Sequence, residues 1–168
     1  MNVVMPEPID FCISGDVAAS IWVSPSAILT MLNASAKAGR SETGGILIGR
    51  YGAEGWFADV VEATPRPKGS RSGWTWFQRS NSGLSAHLAE RWHEGLHYLG
   101  EWHFHPGSAP TPSDSDISAM WKVAGDKAYH CPAPILLILG GKPTSHWYLS
   151  ATLFRDGHVV HMRKKSPK

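Results

Sequence analysis

The sequence predicts a single α/β domain in which a mixed β-sheet is flanked by helices. The chain has 168 residues, a length that suits one domain with a core of its own. Segments with helical apolar spacing alternate with short apolar runs of strand length, an order typical of helices packed on a sheet. Apolar residues make up 42% and charged residues 18%, as in ordinary folded proteins. We find no internal repeat, and we treat residues 1–168 as one domain.

The first helix is expected over residues 24–40, SPSAILTMLNASAKAGR. Ser24 is a suitable N-cap, and Pro25 suits the first helical position because its fixed φ and missing N–H cost nothing there. Three apolar residues follow at helical spacing, Ile28, Leu29 and Leu32. The sequence therefore predicts a helix that packs on the sheet through this stripe.

Three strands and a loop are expected next. Residues 44–51, GGILIGRY, are typical of a buried strand, and residues 55–65 of a second strand that ends at a proline. A Pro-, Gly-, Ser- and Arg-rich loop follows, and then a short strand, WTWFQ, over 74–78. Trp74 and Trp76 stand beside this loop, where they either hold a bound peptide or pack against the sheet.

The second half of the chain predicts two more helices and four strands. The second helix is expected within residues 82–100, where four apolar residues recur at fourfold spacing: Leu84, Leu88, Trp92 and Leu96. The strand YLGEWHFH follows over 98–105, and a short helix should begin near Ser113, because PSDSD is rich in capping residues and first-turn acids. Asp156-Gly157 is a strong hairpin signal between the last two strands. The closing strands are expected over 134–140, 146–154 and 158–163.

Charge and composition argue against several classes of protein. The net charge of +2 is too small to indicate nucleic-acid binding, and no apolar run approaches the ~20 residues that a membrane helix needs. The first residues lack the basic start and apolar stretch of a signal peptide, and two cysteines suggest no disulfide framework. We therefore expect a cytoplasmic protein that binds neither nucleic acid nor membrane, with a short solvated basic tail.

The stretch EWHFHPGSAPTPSDSD, residues 101–116, predicts a metal site. Side chains alternate along a strand, so His103 and His105 should point to one face and Phe104 to the other. Asp116 should then follow in the first turn of a helix. Two imidazoles and one carboxylate leave a fourth tetrahedral position open for water, as in catalytic zinc sites, where the pKa of water falls from about 15.7 to about 7.

Such a site also needs a base that moves protons. Glu42 is the candidate, because it lies in SETGGILIG, where the first helix gives way to a strand. The glycines after it allow a close approach of backbone or substrate. Ser113 is placed to donate a hydrogen bond to a developing oxyanion, a contribution of about 2.7–4 kcal/mol in other acyl-transfer enzymes.

Together these residues resemble the JAMM motif of the JAB/MPN metalloproteases. The chain has Glu42, a long gap, HFHP from His103, a six-residue spacer, Ser113 and then Asp116. SETGGILIG and YLGEWHFHP also resemble the corresponding strands of compact bacterial members, and the element order is similar over roughly residues 17–155.

The resemblance implies a zinc-dependent hydrolase, with one Zn²⁺ per chain, that cleaves the bond after the C-terminal tail of a ubiquitin-like or similarly conjugated protein. His103, His105 and Asp116 would be the metal ligands, Glu42 the general base and Ser113 the oxyanion partner. Similar compact peptidases are encoded beside ubiquitin-activating-like and ubiquitin-conjugating-like enzymes in antiphage defence systems, where they deconjugate proteins or process precursors. Others process sulfur-carrier proteins, and both pathways stay open. A conjugated tail is expected to add as a strand near residues 64–76.

Two features bear on alternatives. Phe104 stands where the family commonly has Ser or Thr, and since it faces away from the metal it should change packing only. The chain has no room for the long insertions that select ubiquitin-chain linkages, which favours a simpler partner.

A non-catalytic MPN scaffold usually lacks a motif residue, whereas all are present here. A zinc nucleobase deaminase would need an H-x-E motif and a P-C-x-x-C pair, which the chain lacks.

Overall fold

The computed structural model describes residues 4–13, 19–52, 56–72, 77–78 and 83–166. Within these ranges, nine strands form one main sheet, two more form a small hairpin, and three α-helices accompany them. The mixed sheet with flanking helices confirms the fold class expected from the sequence. In chain order the elements are β1 (Ile9–Cys12), β2 (Ala19–Val23), α1 (Pro25–Ala38), β3 (Thr43–Tyr51), β4 (Trp56–Ala63), β5 (Arg71–Ser72), β6 (Phe77–Gln78), α2 (Leu84–His93), β7 (His97–Pro106), α3 (Asp114–Gly125), a 3₁₀ turn (Lys127–Tyr129), β8 (Ile135–Gly141), β9 (Trp147–Arg155), β10 (His158–His161) and β11 (Arg163–Lys164).

The main sheet is mixed and nearly closed. Its strand order is β10-β9-β8-β7-β3-β4-β2-β1-β11, with β2–β4 and β7–β8 parallel and the other described pairs antiparallel. β10 and β11 lie at opposite ends of this order although Met162 alone separates them in the chain. Met162 N also donates a hydrogen bond to Ala151 O at 2.9 Å. The last stretch of chain therefore bridges the two sheet edges, and part of the predicted basic tail pairs with β1.

α1 follows the predicted capping pattern. The Ser24 hydroxyl accepts a hydrogen bond from Ala27 N at 3.1 Å, and a proline begins the helix. Ile28 is fully buried, while Leu29 and Leu32 are half-buried. The helix covers the sheet face that carries the larger hydrophobic core, and the chain turns after Ala38 toward β3.

α2 is shorter than the sequence suggested. Fourfold spacing predicted that Leu96 would continue the helix, but it ends at His93. Gly95 has a φ of 76°, a left-handed conformation that commonly ends helices, and the chain then enters β7. Leu84 and Leu96 still share one buried cluster. Trp92 is 64% exposed, so the prediction that it lines an apolar stripe was wrong.

The last hairpin confirms the predicted turn, since Asp156 and Gly157 both have positive φ (50° and 76°), as a type I′ turn requires. Trp74 and Trp76 lie outside the described residues. Of the short strand expected around them, Phe77–Gln78 pair with Arg71–Ser72 as β6 and β5. Across the described ranges, every helix is too short or too polar to cross a membrane.

Candidate active site

Three segments of the chain meet at one end of the central strands. In the β3–β7 pair, Thr43 lies opposite Phe104 and Gly44 opposite His103, so Glu42 precedes β3 beside the carboxyl end of β7. The first turn of α3 reaches the same place, because Asp116 bonds to His103. Strand pairing thus brings Glu42 to residues far from it in sequence.

The glycines after Glu42 allow a close backbone approach, as the sequence suggested. A Cβ at Gly45 would lie 2.2 Å from Thr64 O and 2.9 Å from Trp102 Nε1. Thr64 O accepts a hydrogen bond from Trp102 Nε1 at 2.8 Å, and Thr64 Oγ1 accepts one from Ile46 N at 3.0 Å. Thr64, which follows β4, is therefore held close to the start of β3 by hydrogen bonds to Ile46 and Trp102, next to the candidate site.

The two histidines alternate with an aromatic residue as a strand dictates. Phe104 is 1% exposed and belongs to the core on the α1 side. His103, 7% exposed, and His105 instead contact Asp116 on the α3 side. The position of Phe104 agrees with the expectation that it affects packing.

Asp116 is the common partner of both histidines. Its Oδ1 lies 2.8 Å from His103 Nδ1, and its Oδ2 lies 3.3 Å from His105 Nε2. Ser113 N also donates to Oδ2 at 2.8 Å. The carboxylate is therefore buried, oriented from three directions and in contact with both imidazoles.

Ser113 and Asp116 form a capping box at the start of α3. The Ser113 hydroxyl oxygen accepts a hydrogen bond from Asp116 N at 3.1 Å, and the backbone N–H of Ser113 donates one to the Asp116 carboxylate. A serine hydroxyl that accepts a bond still has its own proton to donate. Because Ser113 is exposed, this proton is available to a substrate.

The loop between Pro106 and α3 is fastened to β8 and β9. Gly141 N donates to Ser108 O at 2.9 Å, and Ser150 Oγ donates to Pro110 O at 2.5 Å. A Cβ at Gly140 would lie 2.4 Å from Ser108 O, so a glycine is needed beneath the loop. These contacts fix where α3 begins and hence where Asp116 lies.

Glu101 is a further charged residue of the site that the sequence reasoning missed. It precedes His103 by two positions on β7 and is buried, with Oε2 3.5 Å from His103 Nε2. Tyr98 Oη donates to its Oε1 at 3.3 Å. The alternation that grouped the two histidines also places Glu101 on their face, and this signal could have revealed it.

The carboxyl groups of the site differ in proton affinity. Burial raises the pKa of Glu42 above 4.5, opposed by His105 and reinforced by Asp116. Burial also disfavours ionised Asp116, but its hydrogen bonds with the two histidines outweigh burial and hold its pKa well below the ordinary value. Burial lowers the pKa of His103, and its bonds with Asp116 and Glu101 outweigh this and raise it to about 9. Divergent carboxyl pKa values of this kind are typical of acid–base sites.

The donor set fits a zinc ion in its chemistry, namely two imidazoles and a carboxylate. Among the described residues, no group of three or more His, Cys, Asp or Glu side chains is arranged to hold a metal ion, and Asp116 instead contacts both histidines directly. Tetrahedral ligand atoms about 2.0–2.1 Å from an ion lie about 3.3 Å apart, which is the separation of His105 Nε2 and Asp116 Oδ2, 3.3 Å. The shorter His103–Asp116 hydrogen bond would have to open for an ion to enter.

Residues 24–150 match the model of a family described as prokaryotic homologs of the JAB domain. The chain belongs to this family. The match confirms the resemblance drawn from the motif, and it contains Glu42, Glu101, both histidines and Asp116. This JAB-family chain is 47% identical over 138 residues to a protein of Enterobacter hormaechei subsp. hoffmannii (strain UCI 50) named CD-NTase/cGAS isopeptidase. The aligned region covers 82% of this chain and 77% of that protein.

A solved structure supports the fold of this JAB-family protein independently. The solution structure of protein DSY2949 from Desulfitobacterium hafniense superposes with a TM-score of 0.63 at 20% identity, covering 83% of this chain and 87% of the other. At this identity the likeness concerns the fold alone.

Proposed function

We propose that this JAB-family protein is a zinc-dependent isopeptidase that hydrolyses the bond between the C-terminal tail of a conjugated protein and its target. The observation that carries the proposal is that Glu42 interacts electrostatically with His103, His105 and Asp116. Three separate segments supply these residues, and both histidines contact Asp116. The name of the Enterobacter relative supports an isopeptide rather than another amide as the substrate.

In this proposal His103, His105 and Asp116 hold one Zn²⁺. Bound zinc would supply a Lewis acid that polarises the scissile carbonyl and lowers the pKa of water. The protein's part is to keep the ligands oriented. Ser113 N holds one Asp116 oxygen, and the fastened loop before α3 keeps that helix terminus in place.

Glu42 takes a proton from the attacking water and returns it to the leaving amine. Burial raises the pKa of Glu42, which brings its proton affinity nearer to neutral pH, where one group both accepts and releases a proton efficiently. Ser113 donates a hydrogen bond from its hydroxyl to the carbonyl oxygen as negative charge develops there. A donor in that position contributes about 2.7–4 kcal/mol to transition-state stabilisation.

The conjugated partner we propose is a protein of the CD-NTase/cGAS kind, by analogy with the relative. Its extended tail would add as a strand beside the β5–β6 hairpin, using backbone hydrogen bonds for affinity. The enzymes that form the conjugate, ubiquitin-activating-like and ubiquitin-conjugating-like proteins, are the further partners we expect, in an antiphage setting.

The test uses one CD-NTase tail presented in two ways, as an isopeptide on a lysine of a second protein and as a linear fusion to a reporter. We expect the parent to cut the isopeptide, and Glu42→Gln to keep its zinc but lose cleavage by about 10²–10⁴-fold. Glu62→Gln is the matched control, since this carboxylate on β4 pairs with His87 and Arg91 away from the site; it should cut like the parent.

A sulfur-carrier protein fused to the same reporter serves as the competing substrate. Cleavage of that fusion alone would favour the sulfur-carrier alternative. Bound zinc without cleavage of any substrate would favour a non-catalytic scaffold, and equal cleavage by Glu42→Gln would remove that residue from the mechanism.

A further inference from the structure

We infer that Glu101 is a positioning residue for His103: its carboxylate holds one ring nitrogen so that the other nitrogen faces the metal. This inference rests on the proposed function, because it takes His103 as a ligand. It concerns a residue outside the five that the motif supplies.

The two nitrogens of His103 face two different carboxylates. Nδ1 lies 2.8 Å from Asp116 Oδ1, on the side where the ligands converge. Nε2 lies 3.5 Å from Glu101 Oε2 on the other side. The His103 and Glu101 side chains are each only 9% exposed, so water does not compete strongly for either contact.

The surroundings of Glu101 would suit an apolar residue better. Strand pairing places it between Ile46 on β3 and Leu136 on β8, and these are 1% and 0% exposed. Paired residues share a sheet face, so a carboxylate stands in a row of buried aliphatic side chains. Burying a charged group there costs free energy unless it is paired. Its polar partners include His103 and the hydroxyl of Tyr98, and the contact with His103 compensates part of this cost.

The chemistry of imidazole explains what Glu101 would do. A neutral ring has one N–H and one lone pair, and an ionised carboxylate only accepts hydrogen bonds. In the metal-free protein Nδ1–H donates to Asp116. When a metal replaces that proton, Glu101 keeps the N–H on Nε2 and so leaves the lone pair of Nδ1 for the ion. Outer carboxylates of this kind fix the tautomer and ring orientation of histidine ligands, and their loss commonly weakens metal binding about 10–100-fold.

The test compares two glutamates that each contact a histidine. Glu101→Gln removes the charge and keeps the shape, whereas the control Glu62→Gln alters the Glu62–His87 pair, 2.6 Å long, away from the site. Zinc affinity is measured by competition with a chromophoric chelator, together with the melting temperature of the metal-free proteins. We expect zinc binding about 10–100-fold weaker in Glu101→Gln and unchanged in Glu62→Gln.

A second readout is the ¹⁵N NMR of His103 in the zinc-loaded protein. The parent should show a protonated Nε2 and a metal-bound Nδ1, and Glu101→Gln should show a mixture of ring states. If Glu101 only supported packing, its loss would lower the melting temperature but leave zinc affinity and the ring signature unchanged, which would overturn the inference.

Folding failure of Glu101→Gln is covered by Tyr98→Phe, which removes the hydroxyl that holds Glu101 Oε1 and keeps the aromatic contact with Tyr129. We expect weaker zinc binding here too, and a folded Tyr98→Phe protein that binds zinc with the affinity of the parent would contradict the inference. A parent that binds no zinc would instead refute the proposed function, and the role of Glu101 with it.

Discussion

Replacing Gly140 with alanine tests how far the site depends on the loop between β7 and α3. The added Cβ would lie 2.4 Å from Ser108 O and 2.8 Å from Pro110 N. Both are backbone atoms, so no flexible side chain can absorb the clash. The shorter contact must lengthen by about 1.0 Å to reach the 3.4 Å at which ordinary packing begins. The loop must therefore lift from β8 by that amount.

A shift of this size should reach Asp116, because the loop leads directly into α3. Asp116, now 2.8 Å from His103, would then be displaced relative to both histidines. Misplacement by about 1 Å can cost about 10²-fold in rate, and overpacking commonly costs about 1–3 kcal/mol of stability. We expect kcat/KM for the isopeptide substrate to fall by about 10²-fold, with weaker zinc binding and a lower melting temperature.

The matched control is Gly125→Ala at the end of α3, where a Cβ would meet no atom within 4 Å. It should keep the kcat/KM of the parent. A Gly140→Ala protein that cuts and binds zinc like the parent would show that the loop does not determine the position of Asp116, and the reasoning would fail.

Three further predictions concern single buried or hydrogen-bonded side chains. Metal-free Glu42→Gln should melt at a higher temperature than the parent at neutral pH, because burial disfavours the charged form of Glu42 and raises its pKa. The difference in melting temperature should shrink as the pH falls toward 4.5. A difference that calorimetry finds to be the same at every pH would contradict this. Ser150→Ala loses the bond to Pro110 O and should lose about 0.5–1.5 kcal/mol in urea unfolding, with a smaller loss of kcat/KM than Gly140→Ala; an unchanged midpoint would contradict it. Cys131 is 2% exposed, and burial raises the pKa of its thiol. A disulfide reagent should therefore label Cys131 only when the protein unfolds, and this labelling should be absent in Cys131→Ala. Rapid labelling of Cys131 in the folded protein would contradict this.

Much of the geometry of the candidate site could be predicted because it follows from patterns of neighbouring residues in the sequence. Alternation along one strand places His103 and His105 together, and a Ser-x-x-Asp spacing is itself a capping pattern that places Asp116 in the first turn of a helix. The cap of α1 at Ser24 and the turn at Asp156-Gly157 are local for the same reason.

What the sequence did not reveal depends on pairing between distant segments. Alternation alone places Glu101 on the face of the two histidines, but its apolar neighbours Ile46 and Leu136 come from pairing with two other strands. The bridging of the sheet edges by the last residues is likewise a long-range pairing. α2 stopped early because the conformation of Gly95 overrode an apolar spacing that continues past the helix end.

The most direct test of the central claim is a zinc titration of the metal-free protein followed by its cleavage of the CD-NTase isopeptide. We expect no cleavage before zinc is added, a linear rise with zinc, and a break at one equivalent per chain, with no rise in an Asp116→Ala variant. Full cleavage by the metal-free parent, or a rise that Asp116→Ala shares, would contradict the claim that this site is a zinc isopeptidase centre.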